Sequence, residues 1–145
     1  MRTKTKHKAI ITGGMFSSRT DEWATPADLF KALNKEFHFD LDVAASAQNK
    51  KCKHFFSQKV NGLKQNWYKQ SKKKSIFCNP PFGDQIKFWI EKALNESQKG
   101  CTVVLLIPFR PDTSYLHDFV FNKAYEIRLI RGRLKYNDGE QTAPF

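Results

Sequence analysis

Ser75-Ile76-Phe77-Cys78-Asn79-Pro80-Pro81-Phe82-Gly83 is the stretch on which the reading of this chain turns. Its first four residues form a short apolar run of strand-like length and composition. Two prolines stop the run, because each fixes its own φ and lacks a donor for a sheet ladder. An amide side chain, a rigid proline carbonyl and an aromatic ring are thereby displayed at the carboxyl end of a strand. In an open α/β sheet, ligands bind along that edge. The set suits a flat, electron-rich amine. The Asn79 amide oxygen and the Pro80 carbonyl can each accept an N–H, while Phe82 can stack on the ring. An amine held this way keeps its lone pair aimed at an electrophile. The plainer alternative is a proline-stiffened turn with an incidental Asn, so the rest of the chain has to decide.

Downstream, Asp84 is placed to cap a helix with Ile86, Trp89, Ile90, Ala93 and Leu94 on one face, and Gly100 to end it. The run Thr102-Val103-Val104-Leu105-Leu106-Ile107 is apolar and β-branched, as expected of a central parallel strand. Pro108 stops it, a helix is expected from Thr113, and residues 125–130 read as another strand. Upstream, Thr25-Pro26-Ala27-Asp28 reads as a helix start, with Thr at the N-cap, Pro at the first helical position and an acid in the first turn. Leu29, Phe30, Leu33 and Phe37 follow at helical spacing. Phe39-Asp40-Leu41-Asp42-Val43 alternates like a strand, and a second helix is expected through Cys52 to Phe56. A polar stretch, residues 57–74, ends in Lys72-Lys73-Lys74. Strand and helix alternate, which predicts an α/β architecture with a mostly parallel sheet and helices on both faces.

The 145 residues suit one domain with a real core: residues 21–145, preceded by a basic, flexible arm over residues 1–20. No apolar stretch approaches the roughly 20 residues of a membrane span, and no secretory signal follows the N-terminal lysines. A cytoplasmic protein is expected. Cys52, Cys78 and Cys101 show no CxxC pairing, and the four histidines no ligand spacing, so reduced thiols and no metal are expected. The formal net charge of +11 calls for a polyanionic partner. Nucleic acid is favoured over a membrane surface, since no basic amphipathic helix stands out.

Three strand ends carry candidate chemistry on one edge of the sheet: Asp42, Asn79 and Arg110. A carboxylate at Asp42 suits an ammonium group, and the small residues Ala44, Ala45 and Ser46 permit close ligand approach. A helix cap or a surface acid is the plainer reading of Asp42.

Taken together, these segments resemble the phage-type DNA N6-adenine methyltransferases. The resemblance runs from about Trp23 to the C-terminus, and its blocks fall in the family's order. Trp23-Ala24-Thr25-Pro26 opens it, and Leu41-Asp42-Val43-Ala44-Ala45-Ser46 follows with Asn49 and Cys52. Asn79-Pro80-Pro81-Phe82-Gly83 comes next with Trp89, Lys92 and Ala93. Leu105-Leu106-Ile107-Pro108 with Arg110, Asp112, Thr113 and His117 precedes the closing Arg131-Gly132-Arg133-Leu134.

The resemblance implies a Rossmann-like fold using S-adenosylmethionine to methylate the N6 amine of adenine in DNA. Trp23, Thr25 and Pro26 are then expected beside the cofactor, and Asp42 and Ala44 at its methionine end. Asn61 takes its adenine edge, in a place where the family usually carries an acid. Asn79, Pro80, Pro81 and Phe82 form the catalytic segment that receives the flipped base, with Phe82 where Tyr is commoner. The chain stops at Ala143-Pro144-Phe145 where relatives continue, so a missing last edge strand is expected. No separate recognition domain is expected. DNA contacts are expected from Lys72, Lys73, Lys74, Arg110, Arg131 and Arg133, or with help from a homodimer. The competing readings are the same chemistry on RNA or on protein glutamine, and a catalytically silent DNA-binding relative.

Overall fold

A computed structural model of the chain describes residues 23–136 and 141–142. Four short strands build one parallel sheet: β1 (Leu41–Asp42), β2 (His54–Phe55), β3 (Ser75–Cys78) and β4 (Thr102–Leu105), in the order β2-β1-β3-β4. The chain moves from β1 outward to β2, then returns to the other side of β1 for β3. That reversal makes the carboxyl ends of β1 and β3 a switch point, where two neighbouring connections leave in opposite directions and open a crevice. Backbone bonds from Asp40 N to Ser75 O and from Val43 N to Phe77 O carry the β1–β3 pairing past both ends of β1.

Side chains of β3 alternate between two cores, as the period of a strand requires. Ile76 and Cys78 join Leu41, Val43, Phe56, Trp67, Trp89 and Ala93. Phe77 faces the other way, with Trp23, Phe39, Leu106 and Tyr136. Both faces of the sheet are therefore covered, and the expected α/β architecture holds. Helix α1 (Ala27–Phe37) brings Leu29, Phe30, Leu33 and Phe37 onto the second core, with Phe30 edge-on to Phe77 at 5.1 Å. Helix α2 (Trp67–Gln70) buries Trp67, and α3 (Ile86–Gln98) buries Ile86, Trp89, Ile90, Ala93 and Glu96. Gly100 at φ 108° lets the chain turn out of α3, as its position predicted.

The buried Glu96 ties α3 to α2. It pairs with Lys92 and Lys99 at 2.9 Å each and accepts the Tyr68 N–H at 3.0 Å. Burial pushes its carboxyl up, but the hydrogen bonds from Lys92, Lys99 and Tyr68 outweigh that and hold it below the usual range. Helix α4 (Ser114–Phe119) starts one residue after the expected Thr113 and buries Leu116.

Five expectations need correction. The segment around Cys52 to Phe56 is not helical: it contains β2, held to β1 by Phe56 N to Asp42 O and Ala45 N to Phe56 O. The helical spacing of Cys52 and Phe56 misleads, because the two side chains enter different cores. Thr25 does not cap α1; Pro26 takes the N-cap position and offers no side-chain bond. Asp84 likewise does not cap α3, whose N-cap is Gln85. The run from Thr102 stops at Leu105 and forms the sheet edge among the described residues, half-buried rather than central. Apolar, β-branched composition does not distinguish an edge from a centre.

Residues 125–130 form no strand, and Tyr125, Ile127, Leu129 and Ile130 are exposed. Arg128 in that segment instead grips Glu36 of α1 at 2.7 Å. A small antiparallel pair, β5 (Lys135–Tyr136) with β6 (Gln141–Thr142), follows. The expected arm over residues 1–20 and the terminal Ala143-Pro144-Phe145 lie outside the described residues.

Candidate functional site

The carboxyl ends of β1 and β3 open on a cavity of about 230 Å³, lined among others by Trp23, Thr25, Asp42, Ala44, Asn61 and Asn79. Five of the six residues expected at the cofactor thus share one cavity with the first catalytic residue. Pro26 does not line it, and neither does Pro80, which is buried behind it. Pro81 supplies part of the wall.

Asp42 is 2% exposed. Its Oδ2 accepts the Lys51 N–H at 3.0 Å and its Oδ1 the Ala44 N–H at 3.4 Å. Burial pushes its carboxyl up to about 6, and the two backbone N–H bonds pull it back only in part. Among the described residues it forms no ion pair. At neutral pH this is a desolvated carboxylate with a standing preference for a cation.

Asn79 shows the opposite imbalance. Its Nδ2 donates to the Trp23 carbonyl and, at 2.9 Å, to the Thr25 hydroxyl oxygen. Its Oδ1 is buried and has no partner, alone in this among the side-chain polar atoms of the described residues. Asn34, Asn49, Asn61 and Asn66 all use the same oxygen to accept a backbone N–H. An acceptor buried without a donor costs about 1–3 kcal/mol, so it marks a place where a donor is expected to arrive.

The site also depends on Gly62 and Tyr136, which the sequence did not single out. A Cβ on Gly62 would stand 2.1 Å from the Val43 carbonyl oxygen, so only glycine allows this approach. The Gly62 carbonyl in turn accepts the Trp67 indole N–H at 2.7 Å. Asn61, at φ 58°, caps the following 3₁₀ turn through its Oδ1. Tyr136 is buried with its ring 6.0 Å from that of Trp23 and 5.7 Å from that of Phe82. Its hydroxyl is pushed up to about 12 by burial. A lone Tyr far along the chain carries no local signal of this placement.

Phe82 lines a second groove of about 350 Å³ with Lys87, Pro108, Arg110, Thr113 and Tyr115. The loop Asn79-Pro80-Pro81-Phe82 therefore lies between a cavity with a buried acid and a groove lined by the aromatic rings of Phe82 and Tyr115, the cations Lys87 and Arg110, and Asp84. Arg110 in that groove is exposed, 3.9 Å from Asp112. Arg131 and Arg133 are exposed just ahead of β5.

Lys72, Lys73 and Lys74 lie elsewhere, before the first residue of β3 and about 13 Å of strand away from Asn79. Lys72 and Lys73 give their backbone N–H groups to Asp40, and the Lys74 ammonium is held by the Tyr68 and Ser71 carbonyls. Cys52 and Cys78 are buried, with their thiols pushed up by desolvation, to about 12 for Cys52, so neither is poised as a thiolate. Among the described residues no cluster of three or more His, Cys, Asp or Glu could hold a metal, and no helix is long and apolar enough to cross a membrane.

Comparison with known proteins gives a consistent result. The profile of the family described as DNA N-6-adenine-methyltransferase (Dam) matches residues 14–144. A DNA N-6-adenine-methyltransferase of Escherichia phage T1 is 30% identical over 124 residues, covering 85% of this chain and 50% of the relative. One of the same description from Haemophilus phage HP1 is 26% identical over 125 residues, 85% of this chain and 70% of the relative. The chain thus spans about half the length of the T1 protein it matches. No solved structure gives a significant match.

Proposed function

Given that the chain belongs to the DNA N-6-adenine-methyltransferase (Dam) family, we propose that it is an enzyme that methylates the N6 amine of adenine in DNA from S-adenosylmethionine. The observation that carries this reading is the unpartnered, buried Oδ1 of Asn79 on the same cavity as the unpaired Asp42. One is an acceptor awaiting an N–H; the other is an anion awaiting a cation.

The residues fit the cofactor's chemistry. Asp42 offers a carboxylate to the ammonium of the methionine end, and Ala44 leaves room beside it. Trp23 and Asn61 form further parts of the wall, with Pro26 stiffening the segment that carries Trp23 and Thr25. The switch point between β1 and β3 supports a Rossmann-like topology. When bound, S-adenosylmethionine supplies an electrophilic methyl group.

The chain's own contribution is to hold the acceptor. The adenine amine is a weak nucleophile because its lone pair is delocalised into the ring. Asn79 Oδ1 and the Pro80 carbonyl accept its N–H groups, which favours the pyramidal nitrogen of the transition state. Pro81 keeps the loop rigid. Phe82 stacks on the base and offsets part of the cost of taking it out of the duplex. Arg110 meets backbone phosphate from the groove, and Arg131 and Arg133 do so from the exposed segment ahead of β5.

The test is nucleoside mass spectrometry on DNA from cells lacking their own adenine methylation, expressing the chain or its Asn79→Ala variant. N6-methyladenine is expected with the intact chain and at least ~100-fold less with the variant, the scale of losing one preorganised transition-state hydrogen bond. Folded protein that leaves DNA unmodified overturns the reading and favours a silent DNA-binding relative.

A further inference from the structure

We infer that Thr25 is a positioning residue for Asn79, holding the amide in the orientation that the Trp23 carbonyl selects, and is not itself a cofactor contact. The consequence for catalysis rests on the proposed function; the orientation does not. The two ends of an Asn amide have nearly the same shape and opposite hydrogen-bonding sense, so left alone either end can face a site. Here the Trp23 carbonyl makes the choice, and the Thr25 hydroxyl adds a second bond that holds it. The Trp23 carbonyl can only accept, and it receives Asn79 Nδ2. The Thr25 Oγ1 accepts from the same nitrogen at 2.9 Å. Turning the amide over would set Oδ1 against the Trp23 carbonyl, oxygen facing oxygen, and take the nitrogen's donors away from both partners. The oxygen is therefore confined to the side where it has no partner.

The clamp is itself rigid. Trp23 is buried with its ring against Tyr136, and Thr25 is 2% exposed. Pro26 follows with extended backbone, φ −56° and ψ 136°. A proline also restricts the residue before it to extended conformations, which keeps Thr25 in place. Both partners come from more than fifty positions upstream of Asn79, so the chain brings this segment across the sheet to serve one side chain. The hydroxyl that resembles a helix cap in the sequence makes no cap bond to α1.

The test compares wild type, Thr25→Val, which keeps the shape and removes the oxygen, and Thr25→Ser, which restores it. The first readout needs no activity: the Asn79 side-chain amide protons, followed by NMR. They are expected to be protected from exchange in wild type and Thr25→Ser, and exposed in Thr25→Val. In turnover, Thr25→Val is expected to lower kcat by about 10- to 100-fold, the range for a displaced catalytic group. Cofactor affinity by calorimetry should stay within about twofold of wild type, since the hydroxyl is engaged elsewhere. Thr25→Ser should recover most of kcat. Should Thr25→Val fail to fold, Thr25→Ala removes the same oxygen with less bulk and carries the same expectations.

Unprotected Asn79 amide protons in wild type would overturn the inference. So would a Thr25→Val protein with normal kcat and tenfold weaker cofactor binding. A wild type that is inactive, yet shows protection lost in Thr25→Val, sinks the proposed function and leaves the clamp standing.

Discussion

Asp40, just ahead of β1, and Asp42, at its carboxyl end, flank Leu41, and their surroundings make them opposites. Asp40 accepts the Ser71 hydroxyl at 2.5 Å and the backbone N–H groups of Lys72 and Lys73 at 2.7 and 2.9 Å. Burial pushes its carboxyl up, but these bonds outweigh it and hold the group below the usual range. Asp42 receives two backbone N–H bonds, one of them long, and is pushed up to about 6. At the amino end of the sheet the anion is satisfied by its own chain, and the result is a joint between β1 and β3. At the carboxyl end it is left short, beside a cavity. A charge that the fold completes holds the fold together; one that it leaves incomplete awaits a ligand.

The largest expected effect separates the two ends by binding. Asp42→Asn removes the charge at the cavity and should weaken S-adenosylmethionine by about 100- to 1000-fold, the usual cost of deleting one partner of a buried ionic contact. Asp40→Asn should leave that affinity unchanged and cost about 2 kcal/mol of stability through imperfectly matched donors. Calorimetry and denaturant titration read the two quantities separately. Equal losses of affinity in both variants would end the distinction drawn here.

Protonation sharpens the comparison further. The Asp42 carboxyl stands near 6 when folded, against 3.8 unfolded. The native state therefore holds this proton more tightly. The stability that this brings is complete below about pH 4 and is lost as pH rises through about 6. Wild type should thus lose about 2–3 kcal/mol to Asp42→Asn between about pH 4 and pH 7. Asp40 is held below its ordinary value, so its contribution has the other sign: present at neutral pH and lost as pH falls through its folded value. The gap between wild type and Asp40→Asn should close on acidification, while that for Asp42→Asn opens on neutralisation. Parallel pH profiles for the two variants would show that both ends are equally satisfied.

What the sequence revealed of this contrast follows the range of its signals. Ser75 to Phe82 announced a strand end with displayed polar groups because the prolines act locally. The helical spacing of Leu29, Phe30, Leu33 and Phe37 was legible for the same reason. The choice between Asp40 and Asp42 was not local: it depends on Ser71, Lys72 and Lys73 closing on one acid from thirty-odd positions away. Thr25 was read as a cap because Thr-Pro-x-Asp is a local pattern, whereas its partner Asn79 lies 54 positions downstream. Gly62 carries no local signal of its tight approach to Val43, which belongs to the packed sheet. Residues 125–130 carried strand composition and still formed no strand, because composition cannot supply a neighbouring ladder.

The smallest expected effect concerns the lysines. If the amino end is structural, the charges of Lys72 and Lys73 should add little to DNA binding, since their backbone N–H groups serve Asp40 and their side chains lie a strand's length from Asn79. Replacing both with Ala keeps those N–H groups. It should change the slope of log affinity against log salt by much less than one, measured by fluorescence anisotropy on a duplex. Arg110→Ala and Arg133→Ala should each lower that slope by about one, as expected for loss of one phosphate contact. Lys74 is a poor choice for this test, because its ammonium is bonded to the Tyr68 and Ser71 carbonyls and lies 4.2 Å from the Tyr68 ring, so its removal disturbs the joint itself. A slope reduced by about two in the Lys72/Lys73 double variant would mean that the duplex reaches the amino end of the sheet. The satisfied end would then serve binding as well as folding, and the division of labour between Asp40 and Asp42 would hold for the carboxylates without extending to the surfaces around them.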